Sequence, residues 1–393
     1  MATTPQDALA ATLPQPEEDR LAWLALTLTP GLGPKRIRDA LGSLDAPSRL
    51  FTLSLTELEA LRLPAHSAQF LFDGQARRAA EEEWARVAAF GGSLLTCDCA
   101  QYPERLREIY DPPPVLWLRG DASQLSRFSL AVVGTRHPSA YGSGIAERIS
   151  RDLAARNLLI VSGMARGIDS CAHRGALQAH RPTLTVWGTG IDVVYPKENH
   201  KLADEILSLG GTIVSEVPMG TFPAPQNFPR RNRILSGLSI GVLVVEAAEN
   251  SGTRITARCA ADQNRDLYAV PGNVTNRNAW TPNTLIKQGA KLVASWEDVW
   301  EDLPSQIRLE LEAGIPEDSA TAENSPFLSS EPLRPEEAIV LAALHADEPL
   351  QIDELLDALE TQLTSSEVFT ALFELELAGR IRCFPGKNYV RTI

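Results

Sequence analysis

The sequence lacks any uninterrupted apolar run long enough to cross a bilayer, so no membrane segment is expected in its 393 residues. Its first twenty residues are Pro-rich and acidic, without the apolar centre of a secretory signal, and a cytoplasmic location is expected. Cysteine is scarce. Cys97, Cys99, Cys171, Cys259 and Cys383 are scattered and odd in number, and Cys97-Asp98-Cys99 is too closely spaced for the usual zinc pair. Reduced thiols and no metal site follow. The dinucleotide fingerprint Gly-x-Gly-x-x-Gly is missing after the first strand-like run, and so is the P-loop Gly-x-x-x-x-Gly-Lys-Ser/Thr, which removes the default reason to expect NAD, ATP or any other cofactor. Positive charge is short overall, with a net charge of −13.

That shortage is uneven. Residues 128 to 299 hold 18 basic and 14 acidic side chains, whereas residues 300 to 393 hold 6 and 19. Only the middle of the chain can follow a polyanion; the acidic tail suits a basic partner or solubility.

The basic middle segment contains three turns of one kind. Ala131-Val132-Val133-Gly134-Thr135-Arg136, Leu158 to Asp169 and Val242 to Ala257 each run from a buried strand pattern into a Gly-containing turn bearing a polar or basic side chain. Arg136, Arg166 and Arg254 stand in these turns, and Arg230-Arg231-Asn232-Arg233 follows Phe228-Pro229. Strand patterns at 130–133, 158–162, 183–187, 212–215, 241–246, 267–270 and 291–294 alternate with helical runs. This is the rhythm of an α/β, doubly wound parallel sheet, whose ligands bind outside the carboxyl ends of the strands.

The flanks differ. Residues 1–18 read as a disordered tail and 19–96 as a helical domain. In it, Gly31-Leu32-Gly33 followed by Lys35 and Arg36 resembles a helix-hairpin-helix (SAM-like) turn, or is an ordinary Pro/Gly helix connection. The core with its Pro-rich connector is expected over 97–299, a linker over 300–333, and three helices with a hairpin, the elements of a winged helix, over 334–393. Its recognition helix carries Glu367, Glu374 and Glu376 and no base, which disfavours DNA in that position.

Two constellations admit enzymatic readings. Asp169 and His173 fall at i and i+4 and suit either acid/base work or an oriented structural histidine. Ser251-Gly252-Thr253 is a phosphate-loop candidate. It resembles the loop of nucleoside-monophosphate phosphoribohydrolases of the lysine-decarboxylase-like group, but Thr256 stands where those enzymes carry glutamate.

From Val133 to Leu292 the chain closely resembles the bacterial DNA-processing protein A family (DprA, also called Smf). The matches are Val133-Gly134-Thr135-Arg136 with Tyr141-Gly142, Ser162 to Asp169 with Ala172-His173, Tyr195 to Asn199, and Ser215-Glu216. They continue through Phe228 to Ile234, Gly237-Leu238-Ser239, Val244 to Ala247, Ser251-Gly252-Thr253, Ala269 to Gly272 and Leu285 to Ala290. The resemblance implies an extended Rossmann-like core, no catalysis, and single-stranded DNA as ligand. It also implies a recombination mediator that protects incoming DNA and loads RecA during natural transformation. The DNA-binding residues it implies are Gly134, Arg136, Ser162, Gly163, Arg166, Lys197, Asn199, Arg231 and Arg233. Phe228, Tyr195 and His200 offer candidate stacking surfaces, although Tyr195 and Phe228, each beside a proline, equally suit packing. It further implies a homodimer through the segment holding Ile286 and Leu292, which are otherwise ordinary core residues. The alternatives are a nucleotide-processing hydrolase on the same fold and a nucleotide-sensing module.

Overall fold

The computed structural model describes residues 17–314, 333–346, 349–384 and 386–391; residues 1–16 of the expected tail over 1–18 and residues 315–332 of the expected linker over 300–333 lie outside them. The framework is a nine-stranded sheet in the order β1-β2-β6-β5-β4-β3-β7-β8-β9. Its strands are β1 (Ser93–Thr96), β2 (Val115–Gly120), β3 (Ser129–Val133), β4 (Leu159–Ser162), β5 (Thr183–Trp187), β6 (Thr212–Ser215), β7 (Gly241–Val244), β8 (Asp266–Ala269) and β9 (Lys291–Leu292). The seven strands from β6 to β9 are mutually parallel. β2 joins β6 antiparallel and β1 joins β2 antiparallel.

Alternation along the central strand explains the layering. Leu130 and Val132 enter one apolar cluster with Ile145, Ile149 and Ile160, while Ala131 and Val133 enter the other with Val161, Val186 and Ile234. Both faces are therefore covered, as a parallel sheet requires. Successive strands step from β3 through β4 and β5 to β6, and β7 then returns to the other side of β3. The order reverses between β3 and β7, which opens a crevice at their carboxyl ends.

Two expected boundaries are corrected. β1 belongs to the core sheet and not to the helical domain ending at 96. The helices Glu17–Leu28 and Gln75–Ala89 share one continuous core with the sheet, and Glu83 Oε1 accepts from Trp117 Nε1 at 2.8 Å and from the Met219 amide at 2.7 Å. The first part of the expected linker is helical. Trp296–Asp302 and Ser305–Ala313 pack on the core through Val299, Leu303 and Leu311, a stripe that the acidic composition of the segment conceals. The C-terminal unit has its own core, with helices Pro335–Ala343, Ile352–Leu359 and Ser365–Leu377 beside a sheet of β10 (Leu350–Gln351), β12 (Asn388–Arg391) and β11 (Ile381–Phe384). No helix among the described residues is long and apolar enough to cross a membrane.

Candidate nucleic-acid interface

At the crevice between β3 and β7, the chain's own carboxylate fills the niche where a helix N-terminus would receive an anion. Glu246 Oε2 accepts from the Ser139 amide at 2.9 Å and Oε1 from Ser139 Oγ at 2.6 Å. The helix Ala140–Ala155 starts there, and a Cβ on Gly142 would overlap the Glu246 carboxyl. The neighbouring loop is likewise closed on itself. Thr253 Oγ1 donates to the Gly134 carbonyl at 3.1 Å, and Ser251 Oγ donates to Thr253 Oγ1 at 3.0 Å. Gly252 is exposed, Gly134 is half-buried beneath Ile168 and the Glu246 carbonyl, and Thr256 is buried.

The second turn is held from inside, and four of the expected DNA-binding residues lie in it or against it. Ser162 is buried with its hydroxyl donating to Val132 O at 2.6 Å. Asn199 is buried and its amide donates to Met164 O at 2.8 Å and to Ser170 Oγ at 2.9 Å. The Arg231 guanidinium donates to Val186 O and lies so close over Gly163 that any Cβ there would overlap it. Its charge faces Asp169, whose Oδ2 accepts from the Gly163 and Ala165 amides at 3.2 and 3.3 Å. Burial pushes the Asp169 carboxyl up, and Arg231 together with these two amides opposes that shift. Ser162, Gly163, Asn199 and Arg231 therefore shape the turn and do not present groups at its surface.

Asp169 and His173 make no acid/base pair. His173 is fully buried with Nδ1 2.8 Å from Thr183 Oγ1, and since that hydroxyl donates to Ile160 O, Nδ1 carries the proton. Burial and the nearby Arg231 charge lower its pKa to about 3. It is an oriented structural histidine.

Arg233, also expected at the DNA, is engaged within the protein. Two positions along the helix Asn227–Leu238 turn it away from Arg231, and it pairs with Glu216 and, through Nε, with Asp111 Oδ2 at 3.1 Å. It lines a separate cavity of about 550 Å³ with Asp111, Cys259 and Arg265.

What remains exposed forms one surface at the carboxyl edge of β3, β4 and β5. Arg136 projects with its guanidinium 5.9 Å from the centroid of Phe228, and Phe228 meets Tyr195 at 5.5 Å with the rings tilted by 38°. Lys197 is exposed at the start of the short 3-10 turn Lys197–Asn199, one residue beyond Pro196. Arg166 is exposed and paired with Glu198, and this pairing holds the Glu198 carboxyl below the usual range. His200 is exposed with Nδ1 3.1 Å from Asp204 Oδ2, and Arg230 is exposed at the head of its helix. Cations beside aromatic faces suit a chain of phosphates carrying bases. Arg230 lies in a run in which sequence gives four neighbouring residues equal standing, and no local signal separates it from its buried neighbours.

The chain is similar to known proteins along most of its length. Residues 93–304, over half of the chain, match the family profile described as DNA recombination-mediator protein A. The chain belongs to the DNA-processing protein A family. Residues 325–387 match the DprA winged helix domain. Protein Smf of Escherichia coli is 42% identical over 76% of this chain and 77% of its own length. Protein Smf of Synechocystis is 32% identical over 94% of this chain and 98% of its own. The X-ray structure of DprA from Streptococcus pneumoniae superimposes with a TM-score of 0.65 at 32% identity, covering 72% of this chain and 98% of that one.

In this DNA-processing protein A chain the flanking units are partly engaged with the protein itself. Lys35 of the N-terminal turn lies 5.5 Å from the Tyr110 ring, and Arg36 Nη1 reaches the Gly31 carbonyl at 3.4 Å. In the winged helix domain, Glu367 caps its own helix by accepting from the Thr364 amide at 2.7 Å, and Glu374 lies 3.5 Å from Arg334. Of the wing's bases, Arg382 and Arg391 line a cleft against the helix Ala140–Ala155, with Arg382 4.0 Å from Glu147. At the far edge of the core, Leu292 of β9 is half-exposed and Ile286 half-buried.

Proposed function

We propose that this chain is a single-stranded DNA-binding recombination mediator whose strand lies along Lys197, Tyr195, Phe228 and Arg136, with Arg166 and Arg230 at its margins. The carrying observation is the cation beside two touching aromatic rings at the carboxyl edge of the sheet. The nearby niches that could take an isolated anion are closed by Glu246, by Asp169 with Arg231, and by Thr253. An extended ligand that needs a surface fits better than a mononucleotide that needs a pocket. Duplex DNA binds more weakly because its paired bases offer no free faces.

Within the family's role, the bound strand is incoming DNA during natural transformation. The protein protects it and passes it to RecA, and works in the cytoplasm without a catalytic step or a cofactor. Two copies pair at the β9 edge, where Leu292 and Ile286 offer apolar surface beside a strand whose outer edge has no partner among the described residues.

A polarisation titration separates these layers. Labelled single strands should bind and resist mononucleotide competitor, while unlabelled single strands displace them. RecA nucleation on single strands should accelerate when the protein is added. Displacement by stoichiometric mononucleotide would overturn the strand reading, and unchanged RecA nucleation would overturn the loading role.

A further inference from the structure

Resting on the strand reading above, we infer that the bound strand continues across the crevice to a second base-stacking station, formed by Trp280 with Arg254 and flanked by Arg277. Of the seven tryptophans only Trp280 is exposed, at 39%, whereas Trp23, Trp117 and Trp187 are buried and Trp84, Trp296 and Trp300 are half-buried. An exposed indole face beside a cation offers a base a surface to stack on. The Arg254 guanidinium stands 5.4 Å from its centroid and is held there by donating from Nη1 to Glu249 O at 3.0 Å. Arg277 is exposed three residues before Trp280, and among the described residues neither arginine has a carboxylate partner.

The station is fixed to the first one through the backbone. Asn278 Nδ2 donates to the carbonyl of His137, the residue after Arg136, at 3.1 Å. The Ala247 amide donates to Asn278 O at 2.7 Å, and the Thr281 amide and hydroxyl donate to Ala247 O and Ala248 O at 3.0 and 2.8 Å. Trp280 therefore stands on a clamped segment that touches the Arg136 turn on one side and the β7 loop on the other. An uncharged peptide would use the indole but leave two guanidinium groups without an anionic partner. A nucleotide uses both, with its base on the ring and its phosphate on the cation. Two cation-aromatic stations on either side of the β3/β7 crevice describe one path with its own length.

Oligothymidylates of increasing length, titrated against the full chain by tryptophan quenching and by polarisation, test this path. In the wild type, affinity rises with length until the strand spans both stations, and quenching appears at that length. Trp280→Ala and Arg254→Ala should each leave short-strand affinity unchanged and weaken the longer strands about tenfold, the effect of one lost stacked base. Trp280→Phe should retain the long-strand affinity while losing the quenching. Equal long-strand affinity in the wild type and Trp280→Ala, or quenching by thymidine monophosphate alone with no length dependence, would overturn the second station. Arg136→Glu reports separately on the first: loss of binding at every length leaves the strand reading standing whatever Trp280 does, and unchanged binding at every length removes both.

Discussion

At the scale of the residue, Arg231 places a charge opposite the buried Asp169 carboxylate and its guanidinium against Gly163. Removing one partner of such a pair strands the other, so Arg231→Ala should lower unfolding free energy by about 3–5 kcal/mol in a urea titration, and Asp169→Asn in the same background should recover part of it. Loss of DNA binding with full stability would instead put the guanidinium at the surface. His173 adds a pH effect. Its pKa of about 3 lies below the ordinary 6.5, so below pH 6.5 the unfolded chain takes up a proton that the folded chain refuses. Stability should therefore fall as pH drops from 6.5 towards 3, and the difference between wild type and His173→Gln isolates the imidazole from Asp169 and Glu216, whose carboxyls burial pushes upward. A His173→Gln profile parallel to the wild type would contradict this. In sequence, Arg231 and Arg233 look like the exposed Arg230. Their surroundings are set by Asp169, Glu216 and Asp111, which are brought beside them only by the fold, whereas the exposure of Arg136 was legible because it stands in the turn itself.

At the scale of the element, the central strands were legible because burial on both faces writes them as short continuous apolar runs, as in Leu130–Val133 of β3 and Val242–Val244 of β7. β1 was not, since four residues after Gly91-Gly92 carry no such signal and its pairing with β2 is an edge event. The helix Ser305–Ala313 was hidden by its glutamates, although Ile307 and Leu311 fall at i and i+4 with Leu303 ahead of them. A chain ending at Gly314 should accordingly keep its melting temperature and bind single strands as well as the full chain or slightly tighter at low salt, because it sheds acidic residues. A chain ending at Asp302 should melt several degrees lower, having lost the burial of Leu303 and Leu311 at about 1.5–3 kcal/mol each. Tenfold weaker duplex binding by the Gly314 form would show that the wing's arginines, and not the core, hold duplex DNA.

At the scale of the whole molecule, an acidic protein presents a basic middle at one edge of its sheet and, at another, a short edge strand carrying the half-exposed Leu292. If the β9 edge pairs two copies, Ile286→Glu with Leu292→Arg should yield a folded monomer by sedimentation, since each substituted charge meets its own copy near the two-fold axis. An unchanged sedimentation coefficient would move the interface elsewhere. The central claim is that Arg136 and Lys197 carry phosphates of a single strand, and the salt dependence of binding tests it most directly. Log affinity for a labelled single strand should fall linearly with log salt for the wild type, and the Arg136→Glu, Lys197→Glu double variant should bind far more weakly with a slope shallower by about 0.7 per lost phosphate contact. A double variant with the wild-type affinity and the wild-type slope would contradict the account.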